Sequence, residues 1–579
     1  MKYLMYALEN NTTIKYLHLE NNVIGAEGVQ FIVNILKTNT TLISLNLQGN
    51  QIGTEGAKDL CDGLQNNKTI RDIYLDNNKI GELGVFYISE AIKSNKELTT
   101  IGLGKNQIGN GGVKYLSDAL QQNLTLVSIE LSDNSIGANG AQYLNDVLQN
   151  NTNISSIRLK NNDICDQGVL SFAKALANNT TLTSFDLSGN KIGTMGAQCL
   201  ADILRNKKML TELDLRDNCI GDDGALQIAD ALQDNVKIIA LDLRSKEIGD
   251  KGMKYIAGAL KNNTSLRQLD LSDNSITDIG AGYIADILKE NTTLIELTLK
   301  SNKIENEGVK LLADAMKTNT SLQRLDLSDN SITDIGAGYI ADMLKEDLTL
   351  IELILRSNKI QDTGVELLTD AMEKNTVLTK LILKDNNIGH QGAKDLANVL
   401  NNVKALTELI LDKNQIGNKG VEYLAQVLQN HLSLIDLGLG NNQIDDRGAK
   451  YLAHALETNR VLTRLHLEEN QIGDQGAQYF INALKNNKRI QNISLISNKI
   501  SDRGAQLLAV ILKESPAIVL MDLRSNLIGD EGAFHLADAL KYNQTLATLK
   551  LRGNDIGPTG ITYLQDVQRD RLVSHQFFY

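Results

Sequence analysis

Apolar residues recur along this chain on a 28-residue period. The first copy starts at Ile14, the next at Leu42, and the series runs without insertion or deletion through 20 copies to Leu546. The shared pattern is L-x-x-L-x-L-x-x-N-x-I-G-x-x-G-A-x-x-L-A-x-A-L-x-x-N-x-T. Position 11 is Ile and position 15 is Gly in all 20 copies, and position 9 is Asn in 19, the exception being Lys246. A fixed period of this length marks stacked supersecondary units, because one unit cannot bury its own apolar face.

Each position predicts an element. L-x-L at positions 4–6 alternates with period 2, which predicts a short strand with two leucines pointing inward. Apolar positions 19 and 23, with Ala at 20 and 22, follow helical spacing and give a narrow stripe that lets a helix sit close to the sheet. The Asn at position 9 carries both donor and acceptor groups, so stacked copies can satisfy turn backbone that would otherwise be buried unpaired. The Gly at position 15 suits either φ > 0 or a close backbone approach before the helix.

This pattern resembles the leucine-rich repeats of the ribonuclease-inhibitor type, a class also found in Ran GTPase-activating proteins and in the sensor arm of NOD-like receptors. The resemblance implies an α/β solenoid, with a parallel sheet on the concave face, helices on the convex face and right-handed βα connections. Strands ~4.8 Å apart and helices ~9 Å apart, in layers ~10 Å apart, predict a bend of roughly 24° per repeat, or about 15 repeats per turn. Twenty repeats would overlap in a plane, so the expectation is a horseshoe that either rises as a superhelix or is flatter. The chain departs from those relatives: it lacks the cysteine-rich composition of the inhibitor, the acidic tail of the Ran activators and the nucleotide-binding motif of the receptors.

The expected organisation is a partial repeat at 1–13 supplying a helix half, twenty repeats over 14–573, and a tail at 574–579. Leu4, Met5 and Leu8 in the half repeat are expected to be partly uncovered, which implies an upstream segment, a partner or self-association through that end. The tail residues Phe577, Phe578 and Tyr579 are a candidate cap.

Composition narrows the function. The net charge is −12 with no basic cluster, which argues against nucleic acid as a partner. No apolar run approaches the ~18 residues of a membrane span, and the N-terminus lacks the pattern of a signal peptide. Four cysteines, Cys61, Cys165, Cys199 and Cys219, fit neither a disulfide framework nor metal pairs, which points to a reducing, cytoplasmic setting, or to a host cytosol for a secreted effector.

Positions 3, 5 and 7 face away from the helices, with position 8 at the rim. Position 5 carries Asp186, Asp214, Asp242 and Asp270, then Thr298 and Asp326; position 7 carries Arg216, Arg244, Ser272, Lys300, Ser328 and Arg356. Across the six repeats starting at 182 to 322, positions 3, 5, 7 and 8 hold ten acids and four bases. Two readings follow: the Asp and Arg columns pair with each other, or they form an acidic trough that steers a basic protein partner. Next at position 5 come Ile354, Ile382 and Ile410, a contiguous apolar strip beside charge and a contact candidate.

Catalytic and metal signals are poor, and no cofactor is implied. No His pair has H-x-x-H or H-x-x-x-H spacing, and the "DLSDNS" at 270–275 lacks the Gly and Glu of a calcium loop. "DIGAGYIAD", at 278–286 and 334–342, imitates a dinucleotide-binding turn, but Gly280 and Gly336 are the position-15 glycine, and Lys300 and Arg356 stand where that fold wants an acid. The wider identity of 269–286 with 325–342 marks a tandem duplication of 56 residues. Sequons such as Asn39-Thr-Thr, Asn179-Thr-Thr, Asn263-Thr-Ser and Asn291-Thr-Thr fall where the chain leaves each helix, and suit that turn without glycosylation. The expectation is a non-catalytic protein-binding scaffold. The alternatives are a GTPase activator of the Ran type and a bacterial effector or receptor-type sensor module.

Overall fold

The computed structural model describes residues 1–9, 11–206, 209–245, 247–570 and 576–578. It divides into two compact units, residues 1–276 with 290–298, and residues 277–289 with 299–579.

In the first unit a helix, Lys2–Glu9, is followed by strands of three residues at repeat positions 3–5, from Tyr16–His18 to Glu296–Thr298. The strands pair in parallel with a register of one repeat, Tyr16 against Ser44 at one end and Gln268 against Glu296 at the other. Helices from Gly25–Thr38 to Asp250–Leu260 connect them. The second unit is built in the same way, with strands from Arg324–Asp326 to Gln576–Phe578 and helices such as Asn306–Met316 and Pro558–Asp570. The last strand continues the ladder, Leu549 standing opposite Phe577. Thus 576–578 of the tail follow the repeat register, while 571–575 and Tyr579 lie outside the described residues, as do the side chains of Phe577 and Phe578.

The core is the space between sheet and helices. Leu45 and Leu47, at positions 4 and 6, are fully buried, as are Ala57, Leu60 and Leu64 from the helix stripe of the same repeat. Removing each such leucine from water stabilises by about 1.5–3 kcal/mol. The glycine of position 15 has a single cause. Gly56 lies in helix Gly53–Leu64 without positive φ, and a Cβ there would stand 2.6 Å from Ile52 Cγ2 and 3.3 Å from the Ala26 Cα of the preceding repeat. Close approach, not left-handed backbone, demands glycine. Left-handed backbone falls instead at position 8, for example Asn21, Asp217 and Ser301, where the chain turns off the strand, and in some repeats at position 10, as in Lys79, or position 12, as in Gly53.

Two ladders of buried amides run along the repeats. At position 9, Asn106 donates through Nδ2 to the carbonyls of Leu75 and Leu103 (2.9 and 3.1 Å), and its Oδ1 accepts from the N–H of Asn78 and Ile80 (2.8 and 3.3 Å). At position 26, Asn95 donates to Leu64 O (2.7 Å) and accepts from the N–H of Glu97 and Leu98 (2.9 and 2.8 Å). The sequon residues Asn39, Asn263 and Asn291 belong to this second ladder; each is buried with Nδ2 donated to a carbonyl.

Candidate functional site

The face of the sheet turned away from the helices is where side chains of positions 3, 5 and 7 stand side by side. In the first unit the register places Asp186 opposite Asp214, Asp214 opposite Asp242, and Asp242 opposite Asp270. Like charges on neighbouring strands repel. The two arginines of position 7 break up the column. Arg216 reaches Asp214 (2.5 Å) and Asp242 (3.4 Å); Arg244 reaches Asp242 (2.7 Å) and Asp270 (3.2 Å). The result is a zipper of alternating charge, Asp214–Arg216–Asp242–Arg244–Asp270. At its ends serine replaces arginine: Asp186 accepts from the N–H and hydroxyl of Ser188 (2.9 and 2.6 Å), and Asp270 likewise from Ser272 (2.9 and 2.5 Å). Burial, reinforced by the flanking Asp270 and Asp214, pushes the Asp242 carboxyl up to about 6.

In the second unit Asp326 is buried, accepts from the Ser328 N–H (2.9 Å) and lies 3.7 Å from Arg324, which also reaches Glu352 (3.4 Å). Ile354, Ile382 and Ile410 stand in adjacent register positions. Ile354 is only 7% exposed, and its two neighbours are half-buried. The strip runs between charge pairs, Lys380 with Glu408 (3.4 Å) and Lys384 with Asp412 (3.8 Å).

Two features of this face escaped the reading of columns. In the first unit, Gly102 and Gly104 occupy positions 5 and 7 of one repeat; in the second, Gly438 and Gly440 do the same. The signal is "IGLG" and "LGLG", in which outward positions 5 and 7 carry no side chain. In the second unit Asp412 accepts from the Gly440 N–H (2.7 Å), and Asp436 holds Arg464 (2.5 Å) and His466 (3.0 Å). Burial opposes the charge on Asp436, but the hydrogen bonds from His466 and Arg464 outweigh it and hold the carboxyl below its ordinary value. The same bond to Asp436 raises His466.

Among the described residues no group of three or more His, Cys, Asp or Glu is placed to hold a metal ion, and the four cysteines are free thiols. The two "DIGAGYIAD" copies fall in helices Asp278–Glu290 and Asp334–Leu344. A Cβ at Gly336 would stand 2.6 Å from Ile332 Cγ2, so this glycine serves repeat packing. No helix among the described residues is long and apolar enough to cross a membrane.

Strand, turn and helix repeated in register define an α/β solenoid with a parallel sheet on one side and helices on the other. The chain matches the family model described as Leucine Rich repeat over residues 10–33, 38–61, 122–144, 178–201, 206–229, 262–285, 290–313, 318–341, 347–368, 374–397, 405–425, 430–453, 458–480 and 542–564. These segments make up more than half of its length, and the chain belongs to the leucine-rich-repeat family. No curated protein matches it. Among solved structures it is similar to the plant peptide hormone receptor RGFR1 in complex with RGF2, at 15% identity over 96% of this chain and 80% of that chain, with a TM-score of 0.34. It is also similar to an internalin (inlF) of Listeria monocytogenes, at 20% identity over 72% of this chain and 95% of that chain, with a TM-score of 0.38.

Proposed function

We propose that the chain is a protein-interaction scaffold of the ribonuclease-inhibitor type that binds a basic protein partner on the open face of its sheet. Leucine-rich repeats generally serve as interaction modules without catalysis, and a rigid ladder of side chains suits that use. The observation that carries the reading is the acid left over after internal pairing. Arg216, Arg244, Lys300 and Arg324 are all committed to carboxylates. Among the described residues no ion pair reaches Glu212, Asp217 or Asp273, and Glu296 meets only the neutral amide of Gln268 (3.2 Å). A surface with uncompensated charge of one sign steers a partner of the other sign. Free thiols fit a reducing, cytoplasmic compartment.

The test is affinity capture with the intact chain and with a Glu212→Lys/Asp217→Lys/Glu296→Lys variant. A partner bound through this face is lost in the variant and weakened by salt; equal capture by both proteins overturns the reading. A GTP-hydrolysis assay on a panel of small GTPases decides the activator alternative, which requires a rate increase.

A further inference from the structure

The glycine pair of the first unit lies in a trough on the open face. Asp76, from the preceding repeat, accepts from the Gly104 N–H (2.8 Å), and its carboxylate occupies the space that a Gly102 side chain would need. Tyr74 Cδ1 stands 3.2 Å from where a Gly102 Cβ would be, and Glu130 Oε1 stands 3.3 Å from a Gly104 Cβ. The two glycines are buried beneath these side chains: the Asp76 carboxylate lies over the glycine backbone, the Tyr74 ring stands on one side, and the Glu130 carboxylate approaches on the other. Glu130 accepts from the Ser132 N–H (2.5 Å). Among the described residues neither Asp76 nor Glu130 has an ion pair.

The second unit provides the comparison. Its glycine pair, Gly438 and Gly440, has the same backbone and the same aspartate over it, Asp412. There basic side chains are resident: Lys384 lies 3.8 Å from Asp412, Arg464 pairs with Asp436, and the His466 imidazole lies 3.0 Å from the same carboxylate. In the first trough the equivalent outward positions carry Thr100, Ser128, Glu130 and Ser132 where the second has Asp436, Arg464, His466 and Glu468. The basic side chain nearest in influence, Arg158, is exposed and makes no ion pair with either carboxylate.

We propose that this trough takes an arginine side chain of the protein partner, its guanidinium lying against Tyr74 and between the Asp76 and Glu130 carboxylates. Partly buried carboxylates without a cation are costly, and a guanidinium meets both needs, forking to carboxylates and stacking on a ring. Burial accordingly pushes both carboxyls above their ordinary range in the free chain. This inference rests on the open face being a protein-binding surface.

The probe is a set of short peptides selected from a random display library on the full-length chain, then synthesised with each arginine as arginine or as neutral citrulline. The expected result is selection of arginine peptides that lose about tenfold in affinity with citrulline, and about tenfold on an Asp76→Asn/Glu130→Gln chain. These substitutions keep shape and remove buried charge, so the thermal midpoint should hold. Tyr74→Leu provides a second variant that leaves both carboxylates in place and should also weaken binding. Asp412→Asn, at the other glycine pair, should leave binding unchanged. Peptides that bind equally to the Asp76/Glu130 variant, but are lost on Glu212→Lys/Asp217→Lys, overturn the trough and leave the scaffold standing. Absence of any peptide bound to the open face overturns both.

Discussion

Asp502 accepts hydrogen bonds from the backbone N–H of Gly529 (2.6 Å) and also of Gly532 (2.8 Å), so a carboxylate of one repeat caps the helix of the next. The same bond recurs from Asn110 to Gly137, Asp222 to Gly249 and Asp446 to Gly473. These helices have no cap from their own N-cap side chain. The first-turn N–H groups that every helix leaves unpaired are satisfied by the neighbour.

That relationship sorts the turns into two states. Where position 13 of the preceding repeat is Ala26, Thr54, Glu82, Ala138, Thr194 or His390, position 12 takes positive φ, at Gly53, Gly81, Gly109, Cys165, Gly221 and Gly417. Five of these are glycine and one is not. Cys165 has φ 55°, a region that costs a side chain about 1–2 kcal/mol. Cys165→Gly should therefore raise stability by roughly 0.5–1 kcal/mol after the extra chain entropy of glycine is offset. Urea denaturation of the two chains measures it, and a lower midpoint for the glycine variant would contradict the account.

The second amide ladder makes a prediction of the opposite kind. Asp347 stands at position 26, where the pattern has Asn, and it is 3% exposed. Its Oδ1 accepts from the N–H of Thr349 (2.6 Å) and Leu350 (2.8 Å), as an asparagine would. Its Oδ2 has no partner, whereas Asn375 one repeat later donates Nδ2 to the Leu344 carbonyl (2.9 Å). Asp347→Asn restores that donor without changing shape, and should stabilise the chain by about 1–3 kcal/mol at neutral pH. Thermal melts of the two proteins decide it.

The period, the strand and helix of each repeat, and the position-9 ladder were legible from spacing, because each is a property of one residue type at one place. The two turn states were not, because they depend on a pair, Ala138 with Cys165, in different repeats. The zipper was legible only as alternatives. Positions 5 and 7 of the repeat place Asp214, Arg216, Asp242 and Arg244 on one face, but that each arginine serves two aspartates depends on side-chain distances that spacing does not carry. The troughs escaped because a glycine is an absence of side chain; what Gly102 and Gly104 do follows from Asp76 and Tyr74 leaning over them.

Two histidines should respond to pH with opposite signs. His466 is raised by its bond to Asp436, so its contribution is complete below the ordinary value of 6.5 and is lost as pH rises through the folded value. His431, in the second amide ladder, is lowered by burial; its Nδ1 accepts from the Leu434 N–H (3.1 Å). Its contribution is present above 6.5 and is lost as pH falls through the folded value. Thermal midpoints measured across this range should show His466→Gln flattening the alkaline side and His431→Asn flattening the acid side. Unchanged profiles would remove both histidines as the source.

The zipper predicts an asymmetry between its acids and its bases. Asp242 touches two guanidinium groups, yet burial and the flanking Asp214 and Asp270 still raise its carboxyl to about 6. A raised carboxyl favours the folded state most when it is protonated, so this contribution is complete below 3.8 and is lost as pH rises through about 6. Asp242→Asn removes that charge and keeps an acceptor for Arg244, so at pH values above 6 it should be neutral or slightly stabilising. Arg244→Ala is different. It leaves Asp242 beside Asp270 in direct register with no cation between them, and should cost about 1–2 kcal/mol. In the double variant Arg244→Ala/Asp242→Asn the repulsion is gone, and much of the loss should return. Denaturation of the two single variants and the double variant above pH 6 closes the cycle. An Asp242→Asn loss as large as that of Arg244→Ala would mean that the ion pairs, and not relief of crowded carboxylates, set the energy of this face.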